Sequence, residues 1–168
     1  MIQREKSDLT GLVTGAIFSD CERYRYRLWR RWDLEKPKIN FLMLNPSTAD
    51  DVKNDPTVER CERRARSLGA GELIVTNIFA YRATDPAELL TIDDPVGEGN
   101  TGEILHAAHV ADVVVCAWGL AGGIRGRGQS VLDCLRLERI KLYCLGKTQN
   151  GVPKHPLYIP YSQKLEPF

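Results

Sequence analysis

Four short runs, NFLML (Asn40 to Leu44), ELIVT (Glu72 to Thr76), DVVVCAW (Asp112 to Trp118) and IKLYCLG (Ile140 to Gly146), are apolar at nearly every position. A strand with one wet face alternates apolar and polar residues; a strand apolar throughout is buried on both faces. Between these runs the spacing changes to that of helices. Asp55-Pro56 opens one, with aspartate as N-cap and proline in the first turn. Val58, Cys61, Ala65 and Leu68 form its apolar stripe, and Gly69-Ala70-Gly71 ends it. Asp85-Pro86-Ala87-Glu88 opens a second helix with a capping-box glutamate. A third spans about Glu103 to Val110, with Ile104, Leu105 and Ala108 toward the core; a fourth carries Val131, Leu132 and Leu135. Buried strands alternating with amphipathic helices predict an α/β fold: a three-layer α/β/α sandwich with a mostly parallel central sheet. Upstream, Leu12 to Phe18 and RYRYRLW predict an N-terminal antiparallel hairpin turned at Ser19-Asp20-Cys21. Alternation there puts Tyr24, Tyr26 and Leu28 on one face and Arg23, Arg25 and Arg27 on the other.

A chain of 168 residues suits a single domain over residues 1–168. Its net charge of +1 lacks the strongly basic balance of a dedicated nucleic-acid binder. The five cysteines, Cys21, Cys61, Cys116, Cys134 and Cys144, show no CxxC spacing. They read as small buried hydrophobes in a reducing compartment, so no metal and no cofactor are expected. MIQREKSD has no apolar segment of a signal peptide, and no run approaches the roughly 20 apolar residues of a membrane span. The expectation is a cytoplasmic protein without a membrane partner.

Ligands of parallel sheets bind at the carboxyl ends of the strands. Four segments leave those ends: Asn45-Pro46-Ser47-Thr48-Ala49-Asp50, Asn77 to Thr84, Trp118 to Gly128, and Lys147 to Tyr158. Asn45, Asn77 and His155 are polar residues close after buried strands. Phe79, Tyr81, Trp118 and Tyr158 offer flat faces. Arg82, Arg125, Arg127 and Lys147 offer positive charge as candidate phosphate contacts. Such a set suits a planar, hydrogen-bonding ligand attached to phosphate: a nucleotide, a nucleobase or a flipped base in nucleic acid. The glycine-rich AWGLAGGIRGRG has neither the Walker ending nor the dinucleotide-fold context, and reads as a flexible wall of this cleft.

RYRYRLWRRW, FLMLNPSTAD, NDPTVERC, TNIFAYRATDP, PVGEGN, AWG and GVPKHPLY, in that order, resemble an uncharacterised bacterial and phage family, domain of unknown function sixteen forty-three. A more distant resemblance is to the uracil-DNA glycosylases. Asn45-Pro46 is similar to the Asn-Pro version of their first motif, whose side chain handles the attacking water. Asn77 stands where an asparagine of that superfamily pairs with the pyrimidine edge. Trp118-Gly119 matches a strand end. His155-Pro156-Leu157 is similar to a His-Pro-Ser loop whose histidine supports charge on the departing base, with Leu157 in place of the serine. The resemblance implies Asn45 and His155 as catalytic groups, Asn77 with Phe79, Tyr81 and Trp118 at the base, and Pro46, Ser47, Thr48, Asp50, Pro156 and Tyr158 as loop residues of the site. It implies a nucleobase- or nucleotide-recognising protein: a base N-glycosidase, or a nucleic-acid modification or repair enzyme. The alternatives are a non-catalytic nucleotide or nucleic-acid binding module, and a small-substrate hydrolase using the same cleft.

Overall fold

The computed structural model describes Met1 to Phe168. Its strands are β1 (Ile2–Ser7), β2 (Val13–Phe18), β3 (Arg25–Arg31), β4 (Lys38–Met43), β5 (Glu72–Asn77), β6 (Val113–Cys116), β7 (Leu142–Cys144) and β8 (Glu166–Pro167). All eight join one sheet in the order β1-β2-β3-β5-β4-β6-β7-β8. The helices are α1 (Pro56–Ser67), the single turn α2 (Glu88–Thr91), α3 (Asn100–Val110) and α4 (Arg127–Leu137).

The pairings overturn the expected mostly parallel three-layer α/β/α sandwich. Three of them are parallel, β5 with β4, β4 with β6 and β6 with β7. The other four, β1 with β2, β2 with β3, β3 with β5 and β7 with β8, are antiparallel. The sheet is mixed. Apolar runs report only strands buried on both faces, and the antiparallel ones are not of that kind. IQREKS of β1 is charged and largely exposed, and β8 is two residues long. Nor is the β2–β3 pair an appended hairpin. Strand β3 pairs with β5 from Arg27 opposite Thr76 to Arg31 opposite Glu72, which welds a three-stranded meander onto the parallel centre.

Helices pack over the central strands. On one face α1 buries Val58, Cys61 and Ala65 against Phe41, Leu73 and Val75. On the other, α3 and α4 bury Ile104, Ala108, Val131 and Leu135 against Leu42, Val114 and Cys116. The Asp55-Pro56 start of α1 forms as its sequence predicts: Asp55 Oδ1 accepts from the Thr57 and Val58 amides at 3.0 and 2.9 Å. The helix expected after Asp85-Pro86 shrinks to the one turn of α2, whose N-cap position holds Ala87 without a side-chain bond.

One irregularity reassigns a face of β3. Ile17 pairs with Arg27 and Phe18 with Arg25, so Tyr26 is an extra residue. A bulge of this kind reverses the alternation beyond it. Arg25 therefore joins Leu28 on the face under α1, where it is only 1% exposed. The expected segregation of Arg23, Arg25 and Arg27 from Leu28 does not hold. Arg25 donates to the Ala49 carbonyl at 2.9 Å and to Asn77 Oδ1 at 3.1 Å. Burial lowers its pKa to about 10, against the pull of Asp55, so it stays charged at neutral pH. Two residues after Leu28, Arg30 donates to the Asp50 carbonyl at 2.8 Å and to Asn54 Oδ1 at 3.0 Å. Together the two arginines hold residues 49–54 against the sheet.

Arg25→Met removes the charge but leaves the Ala49 carbonyl and Asn77 Oδ1 without donors. Bonds to charged groups and stranded acceptors each carry a kcal/mol or more, so the variant is expected to lose about 3 kcal/mol. Urea unfolding of the two proteins measures it. An unchanged midpoint would remove Arg25 from its structural role.

Candidate functional site

Leu44 and Asn45 extend from the end of β4. The Asn45 amide nitrogen donates to the Pro46 carbonyl at 3.0 Å and the Ala83 carbonyl at 2.7 Å. The Ala83 amide also donates to Pro46 O at 2.9 Å, so the loops after β4 and β5 are tied together. Both amide hydrogens of Asn45 are thus spent, while its Oδ1 takes no hydrogen bond from the protein. That polarity explains asparagine here. An aspartate would set a carboxylate oxygen against two carbonyls.

His155 precedes a short turn, Pro156–Tyr158, and caps it: Nδ1 accepts from the Leu157 amide at 3.3 Å. An accepting Nδ1 leaves the proton of the neutral ring on Nε2, which has no protein partner. The turn is fastened to α1, where Arg60 donates to Pro156 O at 3.1 Å and Arg64 to Ile159 O at 3.0 Å. Burial pushes the His155 pKa below its ordinary 6.5, and the Asp55 carboxylate pulls it the other way.

Trp118 leaves β6 and is 4% exposed. The glycines after it admit it. A Cβ on Gly122 would lie 2.0 Å from Trp118 Cδ1, and one on Gly119, whose φ is +71°, would lie 3.3 Å from His155 Cβ. The loop is not free. Arg125 donates to the Asp93 carbonyl at 3.0 Å, and Arg127 to Ile78 O at 2.8 Å and Thr101 Oγ1 at 2.9 Å. The expected flexible wall is therefore a pinned one.

Asn45, Ser47, Trp118, His155 and Tyr158 all line one cleft of about 500 Å³, together with Thr57, Ala83, Thr84, Leu120 and Leu157. None of its lining residues is Asp, Glu, Lys or Arg. At its mouth Leu120 and Tyr158 are 68% and 86% exposed. The start of α1 adds Thr57, but its first amides are already taken by Asp55.

Residues 25–157, nearly the whole span just described, match a family model described as protein of unknown function, DUF1643. The chain belongs to that family. No curated protein and no solved structure matches it. The family match runs from Arg25, the buried clamp, through His155.

Other residues singled out from sequence lie elsewhere. Asn77 is buried: its Oδ1 is held by Arg25, and its carbonyl accepts from Asn100 Nδ2 at 3.0 Å. Phe79 is packed in the core with Leu44, Leu89 and Ile104. Tyr81 meets Tyr24 edge-on at 5.6 Å, with Arg23 over its ring. Thr48 is exposed, whereas Pro46 and Pro156 are buried beneath the cleft loops. Asp50 turns its own loop, accepting from the Val52 and Lys53 amides at 2.8 and 2.7 Å. Arg82 lies over the Phe18 ring. Lys147 stands 5.6 Å from the Phe168 ring and makes no ion pair. No group of histidine, cysteine and acidic side chains is arranged to hold a metal, and no helix is long and apolar enough to cross a membrane. Sequence reasoning missed Thr57 in the cleft and Asn100 behind Asn77, and took in Thr84 and Leu120 only as part of their loops. Nothing in their local pattern distinguishes them from ordinary helix-start and loop residues.

A histidine held neutral in the fold stabilises it while the unfolded chain is also neutral. The contribution of His155 is therefore complete above about pH 6.5 and is lost as the pH falls from there to the lowered folded value, because over that interval only the unfolded state takes the proton. Urea midpoints at pH 7.5 and pH 5 are expected to differ less in His155→Asn than in the parent. An equal difference would show that His155 is not the group responsible.

Proposed function

We propose that the cleft binds a nucleobase or nucleoside, free, in a nucleotide or in a nucleic-acid strand. One observation carries this reading: an uncharged cleft sets an acceptor, Asn45 Oδ1, and a donor, His155 Nε2–H, beside the indole of Trp118. A nucleobase is flat and neutral and presents donors and acceptors on its edge. It therefore matches such walls better than a charged metabolite does, since an ion buried there would have no partner. The volume falls within the usual range of small-molecule sites. Exposed Leu120 and Tyr158 at the mouth suit contact with the remainder of a larger ligand. The arginines once assigned to phosphate are engaged by main-chain carbonyls, so recognition centres on the base.

The second reading is cleavage of an N-glycosidic bond, favoured by the Asn45 and His155 pairing. Asn45 Oδ1 would orient a water whose oxygen bonds the anomeric carbon as the C–N bond breaks; His155 Nε2–H would hydrogen-bond the departing base anion, an electrostatic contribution of the oxyanion type, and that anion would take up the proton the water releases. No carboxylate lines the cleft to accept the water's proton, which ranks binding ahead of turnover. A serine hydrolase is disfavoured, because no hydrogen bond joins Ser47 to His155 and Nδ1 is occupied by the Leu157 amide.

His155→Asn separates binding from folding. Asparagine is a good N-cap, so the Leu157 amide keeps an acceptor, but its short side chain withdraws the donor from the cleft. Titration calorimetry with the common nucleosides is expected to show binding of at least one by the parent. The variant should bind it about tenfold more weakly, the equivalent of one lost hydrogen bond. No nucleoside binding by the parent overturns the proposal. Abasic sites appearing in uracil-, mismatch- or modified-base oligonucleotides would establish the second reading.

A further inference from the structure

A second groove lies at the opposite end of the sheet from the cleft. The cleft begins past the ends of β4 and β5, whereas this groove gathers around their first residues, Lys38 and Glu72. It encloses about 230 Å³. Trp29 and Ile74 of the sheet form its floor, and both are buried. His106 and Val110, one turn apart on α3, form one side, and Gln3 and Glu5 of β1 the other.

The charges at its base stand in a row. Register sets Arg31 opposite Glu72, and Glu72 opposite Lys38. A carboxylate thus lies between two cations on neighbouring strands, which run about 4.8 Å apart. The row is incomplete. Glu72 is only 7% exposed, yet its Oε2 is buried without a hydrogen-bond partner. Lys38 Nζ lies 4.0 Å away, beyond hydrogen-bond reach. Arg31, also in the wall, makes no ion pair and no side-chain hydrogen bond. The other charged groups are engaged. Glu5 accepts from Trp29 Nε1 at 3.0 Å, and Arg27 lies 3.6 Å from Glu103 and over the Trp29 ring. Burial pushes the Glu72 carboxyl above its ordinary range, against the pull of Lys38, Arg31 and Arg27. Buried polar atoms are normally bonded, so Glu72 lacks a donor while Arg31 and Lys38 lack an acceptor.

We propose that this groove binds a free α-amino acid with an aliphatic side chain, its ammonium on Glu72 and its carboxylate on Arg31 and Lys38. Such a zwitterion carries a donor and an acceptor one carbon apart, and so completes both halves of the row. Simpler ions fit less well. A bare anion would meet Glu72 and Glu5, and a bare cation Arg31 and Lys38, and like charges repel. Trp29, Ile74 and Val110 offer the side chain an apolar surface. The volume, less than half that of the cleft, suits a ligand of this size. The site is distinct from the uncharged cleft and does not depend on what the cleft binds.

Titration calorimetry of the whole protein with leucine, isoleucine and valine tests it. At least one is expected to bind saturably. Its analogues lacking the amine or the carboxylate (4-methylpentanoate and 3-methylbutylamine, for leucine) should each bind about tenfold more weakly or worse. Two variants place the binding in this groove. Glu72→Gln keeps the shape and removes a charge that burial disfavours, and Arg31→Gln removes a group bonded to nothing. Both are expected to keep the urea midpoint of the parent and to weaken binding about tenfold. Should Glu72→Gln lose its fold, Arg31→Gln carries the test alone. No saturable binding of any of the three amino acids overturns the proposal. So does an analogue that binds as tightly as its parent amino acid, or an affinity unchanged in either folded variant.

Discussion

Guanidinium groups donating to main-chain carbonyls hold the irregular parts of this protein in place. Arg25 and Arg30 reach from β3 to Ala49 and Asp50. Arg60 and Arg64 reach from α1 to Pro156, Ile159 and Pro160. Arg125 and Arg127 reach back from the glycine-rich loop to Asp93 and Ile78. Loops next to a core expose carbonyls that no ladder satisfies, and a buried orphan acceptor is costly. Arginine answers this with a fork of donors and a weakly hydrated charge. Burial still disfavours the charge, as the lowered pKa values of Arg25, Arg30 and Arg64 reflect. The bonds to the carbonyls offset that cost, and the loops are placed as a consequence.

The cleft inherits its character from these clamps. Four loops wall it; arginines that do not line the cavity fasten the loops that follow β4 and β6 and the turn after His155, and Asn45 ties in the loop at Ala83. What remains inside is neutral: an amide oxygen, an imidazole N–H, hydroxyls and an indole. The polarity of each group is set by a bond made on its other side. Asn45 offers oxygen because its nitrogen holds Pro46 and Ala83, and His155 offers Nε2–H because Nδ1 holds Leu157. Walls of this kind offer a ligand shape and hydrogen-bond pattern more than charge. Trp118, pressed among glycines, forms a wall shared by two cavities.

The parallel centre was legible because its strands are buried on both faces and their runs are apolar throughout. The Asp55-Pro56 start of α1 was legible because capping is local chemistry. The meander was half visible. Strand β1 carries no apolar signal, and the bulge at Tyr26, which turns Arg25 inward, leaves no mark on the RYRYRLW alternation. In the site, Asn45, Ser47, Trp118, His155 and Tyr158 do converge, since each follows a buried strand or ends a nearby loop. Asn77 follows such a strand too, yet it is captured by Arg25 from a strand 52 residues earlier in sequence.

Sequence alone determined which segments are the buried parallel strands, where α1 begins, and which polar residues follow the strands. Those properties depend on neighbours within a few positions, and hydrophobic periodicity and capping record them. Only the tertiary structure decided the direction of the outer strands, the inward turn of Arg25, and the commitment of Arg125 and Arg127 to carbonyls rather than to solvent or ligand. An arginine looks the same in sequence whether it meets water, a phosphate or a buried carbonyl. The choice is made by long-range contacts, which the local pattern does not contain.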